Sequence, residues 1–231
     1  MLIFLDVETT GLEIDDKICS VGIVALKDNE LIEKYELVNE LKKIPPKASS
    51  IHHITNEMIA DKKRFKGGEI YHFLELHNNI DTTIVAHNVK FDLDKLLSGG
   101  LVWNGGVIDT LRVTKHLIPE CEYFSLHFLR YELKLYKNEQ RQLYAHHALD
   151  DAHVTKNLYE YLLDFVTEER MQALSFEPVL LQKMNFGKFS GRYIEDIALN
   201  ERGYLEWVLA NIVDLDEDLR YSITYFLQEV L

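Results

Sequence analysis

Cysteine is nearly missing from this chain: among 231 residues only Cys19 and Cys121 carry thiols, and they form no Cys-x-x-Cys pair. Neither a disulfide framework nor a cysteine zinc site is suggested. Long apolar runs are missing as well. No stretch reaches the ~18 consecutive apolar residues of a membrane-spanning helix, so no membrane is expected among the partners. Met1 leads straight into an apolar, β-prone segment, without the basic start and small-residue cleavage site of a secretory signal; the expected location is cytoplasmic. Positive charge is the third scarcity. Lysine and arginine total 25 against 38 acids, a net charge of −13, which argues against a protein that coats nucleic acid through a basic surface. An enzyme that grips only a strand end remains compatible, provided bound cations supply the local positive field. Internal repeats and low-complexity tracts are absent too. What is present, 47% hydrophobic and 27% charged residues, describes a globular chain able to bury a sizeable core.

Apolar β-prone runs predict strands over residues 2–8, 18–26 and 31–38, the last two joined by a polar turn at 27–30. Helices are expected near 56–59 and 69–77, a fourth strand over 83–86, a helix starting over 91–97 and a fifth strand at 106–108. From 110 to 165 the pattern is mostly helical, ending in an apolar-striped helix over 148–165. Strands that begin as a meander and then alternate with helices imply an α/β fold, a mixed β-sheet flanked by helices. The organisation expected is a main domain over 1–166, a linker region over 167–182 and a small carboxy-terminal α+β appendage over 183–231.

Three segments carry the candidate chemistry. Asp6 and Glu8 stand two apart at the end of the first strand, so both side chains point to one face and can share a hard divalent cation. The plain alternative is a pair of surface acids. In Ala86-His87-Asn88-Val89-Lys90-Phe91-Asp92, a strand feeds a polar turn and then a helix. Asp92 falls in the first helical turn, where the helix dipole favours negative charge; an ordinary helix-start acid would look the same. In His146-His147-Ala148-Leu149-Asp150-Asp151-Ala152, a histidine precedes an aspartate by five residues at the mouth of the long helix. A histidine can take a proton from water near neutral pH. The alternative is a solvent-facing histidine loop with a capping acid, a part that suits Asp150.

Together these segments resemble the three motifs of the DEDDh 3′–5′ exonucleases, in the proofreading exonuclease and RNase T superfamily: Leu5-Asp6-Val7-Glu8-Thr9-Thr10-Gly11-Leu12, the segment from Ala86 to Asp92, and His146, Ala148, Asp151 and Ala152 in a His-x-Ala-x-x-Asp-Ala pattern. Ile51-His52-His53-Ile54-Thr55 is similar to a further His-Gly-Ile-Thr signature, with His53 in the glycine's place. The resemblance implies an RNase H-like fold, with Asp6, Glu8, Asp92 and Asp151 holding two divalent cations, Mg²⁺ or Mn²⁺, and His146 as general base. It also implies that Thr9, Leu12, His52 and Asn88 border the substrate, with Leu12 as a wedge at the terminal base. Glu13, next to that wedge, departs from it by adding a charge that repels phosphate.

Met184-Asn185-Phe186-Gly187-Lys188-Phe189-Ser190-Gly191-Arg192 interleaves cations with aromatics. Lys188 and Arg192 are candidate nucleic-acid contacts; a hairpin filling a small core is the alternative. Phe-Gly-Lys-x-x-Gly followed by Gly-Tyr-Leu-x-Trp is similar to the carboxy-terminal region of the exodeoxyribonuclease X branch of that family. This implies action on single- and double-stranded DNA 3′ ends, and DNA repair. An exoribonuclease, or a proofreading-like subunit serving mainly as a polymerase-binding module, stays open, as do a homodimer and polymerase or repair partners.

Overall fold

The computed structural model describes residues 1–27 and 30–229; the turn expected over 27–30 centres on Asp28 and Asn29, outside the described residues. Strands β1 (Leu2–Thr9), β2 (Ile18–Lys27) and β3 (Glu30–Leu37) are followed by helices α1 (Pro46–His52) and α2 (Asn56–Ile59), a 3₁₀ turn (Phe65–Gly67) and α3 (Glu69–Leu76). β4 (Thr83–Ala86), α4 (Val89–Ser98), β5 (Gly106–Asp109), α5 (Thr110–Leu117), α6 (Leu126–Glu132) and α7 (Ala148–Leu162) come next. The five-stranded sheet runs β3-β2-β1-β4-β5. β1 pairs antiparallel with β2 and parallel with β4, β2 antiparallel with β3, and β4 parallel with β5. This is the expected mixed sheet.

Side-chain alternation on β1 sends Ile3, Leu5 and Val7 into a core shared with Phe65, Ile70, Leu74 and Leu96. The opposite face carries Phe4, Asp6 and Glu8. Phe4 meets Tyr159 of α7 edge-on, with ring centroids 5.3 Å apart. α7 therefore covers the face that bears the two acids. Its approach is set by Gly22 on β2, the cross-strand partner of Asp6. A Cβ at Gly22 would collide with the backbone of Ala148 and Leu149, so only glycine lets the start of α7 sit this close to the sheet.

The chain divides into two compact units: Met1–Val113 with Tyr123–Ser175, and Thr114–Glu122 with the residues from Phe176 onward. The stretch expected to link them carries α8 (Glu168–Leu174), which is capped by Thr167 and buries Met171 and Leu174. The second unit has its own core, with Met184, Phe189, Ile194, Ile197, Leu205, Val208, Leu219 and Ile223 among its members. These residues come from α9 (Ile194–Asn200), α10 (Arg202–Asn211), α11 (Glu217–Glu229) and the segment before them. Among the described residues, the β part of the appendage amounts to one isolated antiparallel bridge, Lys183 with Tyr193.

Candidate active site

Asp6 and Glu8 sit where β1 ends, and the register of β1 with β2 shifts between Glu8 and Thr9, a bulge of the kind that re-aims side chains at sites. Asp92 lies in the first turn of α4 and Asp151 in the first turn of α7; both are buried. The four carboxylates converge closely enough to repel one another. Burial raises the Asp6 carboxyl well above the usual carboxylate range, and the charges of Asp151, Asp92 and Glu8 add to the effect. Burial, then Asp151 and Asp92, push Glu8 up to about 8. Burial also raises Asp92, with repulsion from Asp109 adding, although hydrogen bonds from backbone N–H groups, that of Val7 included, oppose it. Ligand atoms of Glu8, His146 and Asp151 all lie within 4.8 Å of one another.

His146 adopts a left-handed backbone, φ 60°, and its N–H donates to Asp151 Oδ2 at 3.0 Å. One bond thus ties the expected base to an expected ligand. Asp150 does not cap α7, which has no side-chain cap; instead its buried carboxylate holds the preceding loop, Oδ2 accepting from the Tyr144 N–H at 2.9 Å and Oδ1 lying 2.6 Å from Arg141 Nη2.

The residues expected to border a substrate divide into two kinds. Leu12 is 84% exposed, as a wedge requires. Asn88 is exposed, in a left-handed conformation (φ 70°) at the start of α4. Thr9 and His52 are buried. The Thr9 hydroxyl donates to the Gly11 carbonyl at 2.6 Å. His52 Nδ1 accepts from the Ile54 N–H at 3.1 Å, which leaves the proton on Nε2, 3.2 Å from the Thr9 carbonyl. Burial lowers the pKa of His52, in keeping with a neutral ring. Its contact with the site therefore runs through Thr9. Lys188 and Arg192 belong to the second unit.

Three positioning residues escaped the sequence reading. Asp109 Oδ1 accepts from the N–H groups of Asn88 and Leu111, each at 3.0 Å, bracing the turn that leads into Asp92. His127 Nε2 lies 2.9 Å from Asp151 Oδ1. Lys95 is buried and donates to the carbonyls of Glu13 (2.5 Å) and Asp16 (3.1 Å), fastening the loop that bears Leu12 to α4. An acid ending an apolar strand was the one local signal, for Asp109; the other two depend on distant segments.

The exonuclease family model of the RNase T type matches residues 3–159, which contain all five of the converging side chains. The chain belongs to the exonuclease family. It is a phosphodiester-cleaving nuclease on an RNase H-like fold. An exodeoxyribonuclease X-like carboxy-terminal model matches residues 184–213 of this exonuclease. Exodeoxyribonuclease 10 of Escherichia coli K12 is 29% identical over 241 residues, covering 99% of both chains. The PolC-type DNA polymerase III of Thermotoga maritima is 28% identical over 99% of the chain, which spans 16% of that protein's length. Among solved structures, exonuclease X in complex with 5′ overhanging duplex DNA superposes with a TM-score of 0.61 at 29% identity, over 76% of this chain and 99% of that one. Exonuclease I of E. coli with a dA16 oligonucleotide has a TM-score of 0.54 at 18% identity, over 74% of this chain and 42% of that one, a likeness of fold alone. Among the described residues, no helix is long and apolar enough to cross a membrane.

Proposed function

We propose that the chain is a metal-dependent 3′–5′ exodeoxyribonuclease, releasing nucleoside 5′-monophosphates from DNA 3′ ends. The observation that carries this reading is the convergence of Asp6, Glu8, Asp92 and Asp151 beside His146. The donor set fits hard divalent cations. It is oxygen-rich and mutually repelling, and among the described residues no lysine or arginine pairs with any of the four. Asp6, Glu8, Asp92 and Asp151 would hold two such ions, Mg²⁺ or Mn²⁺. When bound, these supply positive charge to the phosphodiester, the attacking water and the leaving oxygen.

The chain's own residues do the rest. An imidazole nitrogen of His146 takes a proton from the attacking water. Its N–H bond to Asp151 keeps the ring beside the carboxylates. Exposed Leu12 lies against the terminal base, with Asn88 and the Thr9 backbone bordering the nucleotide. DNA is favoured over RNA as the substrate by the likeness to exodeoxyribonuclease 10 along nearly the whole of both chains. Trimming of 3′ ends is in keeping with a place in DNA repair.

The test incubates the protein with DNA or RNA strands carrying a 3′ label, in Mg²⁺ or in chelator. Mononucleotide release from DNA in Mg²⁺ alone is expected, and Asp6→Ala and Asp151→Ala abolish it with the fold intact. Release from RNA only would transfer the reading to an exoribonuclease, and activity in either variant would overturn the role assignment.

A further inference from the structure

In the segment from residue 176 onward, five cations stand among a larger number of acids. Two of them are consumed by the fold. Arg202 pairs with Glu206 at 2.9 Å and donates to the Leu227 carbonyl at 3.1 Å; Arg220 donates to the carbonyls of Leu209 and Ile212. The other three, Lys183, Lys188 and Arg192, are grouped on one small loop and form no ion pair among the described residues. Lys183 and Tyr193 close its neck as a bridge, Met184 N–H donates to the Arg192 carbonyl at 2.9 Å, and Gly191 N–H donates to the Met184 carbonyl at 2.8 Å. Gly187 (φ 73°) and Gly191 (φ 84°) supply the left-handed turns that let so short a loop close.

Each of these cations lies over an aromatic ring. Lys188 and Arg192 share Phe189, at 4.7 and 5.1 Å from its centroid, and Lys183 stands 4.9 Å from that of Tyr193. Phe189 is buried and acts as the anchor. It meets Tyr204 edge-on at 4.8 Å, and Tyr204 is stacked with Trp207 at 6.4 Å. A side chain at Gly187 would meet the Tyr204 hydroxyl at 2.5 Å, so the loop lies directly on this ring series. Tyr193 and Trp207 remain 51% and 54% exposed, a large aromatic area to leave in water beside uncompensated charge.

We infer that this loop and the face beside it form a second nucleic-acid contact, taking an unpaired strand by its phosphates on Lys183, Lys188 and Arg192 and by its bases on Tyr193 and Trp207. Cations without an acidic partner among the described residues suit phosphates, and exposed π-faces suit bases that are free to stack. A duplex presents no such bases, so the single strand is the ligand the observations favour. The inference rests on the proposed function only in taking nucleic acid as the substrate.

The full chain is titrated in chelator with a fluorescent 20-nucleotide dT strand, at several salt concentrations. Without divalent cations the carboxylate cluster repels phosphate, so binding reports this surface. Replacing the three cations together (Lys183→Gln, Lys188→Gln, Arg192→Gln) is expected to weaken binding at least ten-fold. It should also lower the slope of log K against log salt by about 2, at ~0.7 per phosphate contact on a single strand. Tyr193→Ala and Trp207→Ala should each weaken binding about five-fold or more, and the exchange Lys188→Arg with Arg192→Lys should preserve it. Should the triple variant fail to fold, Tyr193→Ala, a surface change, still decides the matter. Wild-type affinity and salt slope in the folded variants would overturn the inference while leaving the catalytic reading intact. Failure of the cleavage assay would do the reverse.

Discussion

The left-handed backbone of His146 and its N–H bond to Asp151 fix where the imidazole starts from, so the proposed base can be removed without disturbing the main chain. Asparagine is the replacement to choose, because it tolerates φ > 0 better than most residues. His146→Asn is expected to leave the unfolding midpoint within about 1 °C and to lower kcat by roughly 10²–10⁴, the usual worth of a general base. Thermal melts and single-turnover cleavage would check both halves. Asp16 offers a prediction that does not involve catalysis. Its carboxylate accepts from Thr10 Oγ1 at 2.7 Å and the Glu13 N–H at 2.9 Å, and lies 2.8 Å from Lys42 Nζ. The bond from Lys42, helped by Thr10 and Glu13 and opposed by burial, lowers its pKa to about 2. An unfolded aspartate titrates near ~3.9, so between these values the unfolded chain binds more protons and stability rises with pH. The contribution is therefore complete above about pH 4 and is lost as pH falls through about 2. Urea titrations of wild type and Asp16→Asn should differ by about 2 kcal/mol at pH 6, the scale of charge-assisted hydrogen bonds. That gap should close toward pH 2; a constant gap would refute the assignment.

The site's geometry rests on how α7 meets the sheet. Gly22→Ala would drive a methyl group into the backbone of Ala148 and Leu149, neither of which can rotate away as a side chain can. A loss of about 3 kcal/mol is expected, at the upper end for overpacking. Cleavage should fall as well, since α7 carries Asp151 and its first turn follows His146. Gly203→Ala, in α10 with open space around its Cβ position, should instead stabilise by about 0.5–1 kcal/mol. Denaturation curves of the two variants would test the contrast. The same elements explain what could be read in advance. Asp6 and Glu8 were legible because strand alternation alone puts them on one face. The starts of α4 and α7 were legible because apolar spacing changes there to threes and fours. α1 lay outside the expected helices; it begins at Pro46, and proline at the first helical position is a common start. The carboxy-terminal glycines and aromatics suggested strands, but they close a loop on themselves. Lys95 and Glu13 are 82 residues apart, and local pattern holds no information about such a bond.

Across the molecule, an acidic chain gathers four carboxylates in one cluster with no lysine or arginine paired to them among the described residues, so the metal-free fold carries repulsion that a divalent cation removes. Binding to the folded state alone stabilises by RT ln(1 + [L]/Kd), about 2.7 kcal/mol at a hundred-fold excess over Kd. For a chain of this size ~1 kcal/mol moves the midpoint by ~2–4 °C. Mg²⁺ or Mn²⁺ is therefore expected to raise the melting temperature by about 5–10 °C over chelator, at constant ionic strength so that general screening contributes equally. Asp92→Asn separates the two parts of this argument. Removing one buried charge relieves repulsion, so the variant in chelator should melt at or above wild type, while the loss of a ligand should largely erase its response to the cation. If the variant gained as much from Mg²⁺ as wild type, the ion would be acting elsewhere on the acidic surface, and the carboxylate cluster would lose its claim to the metal.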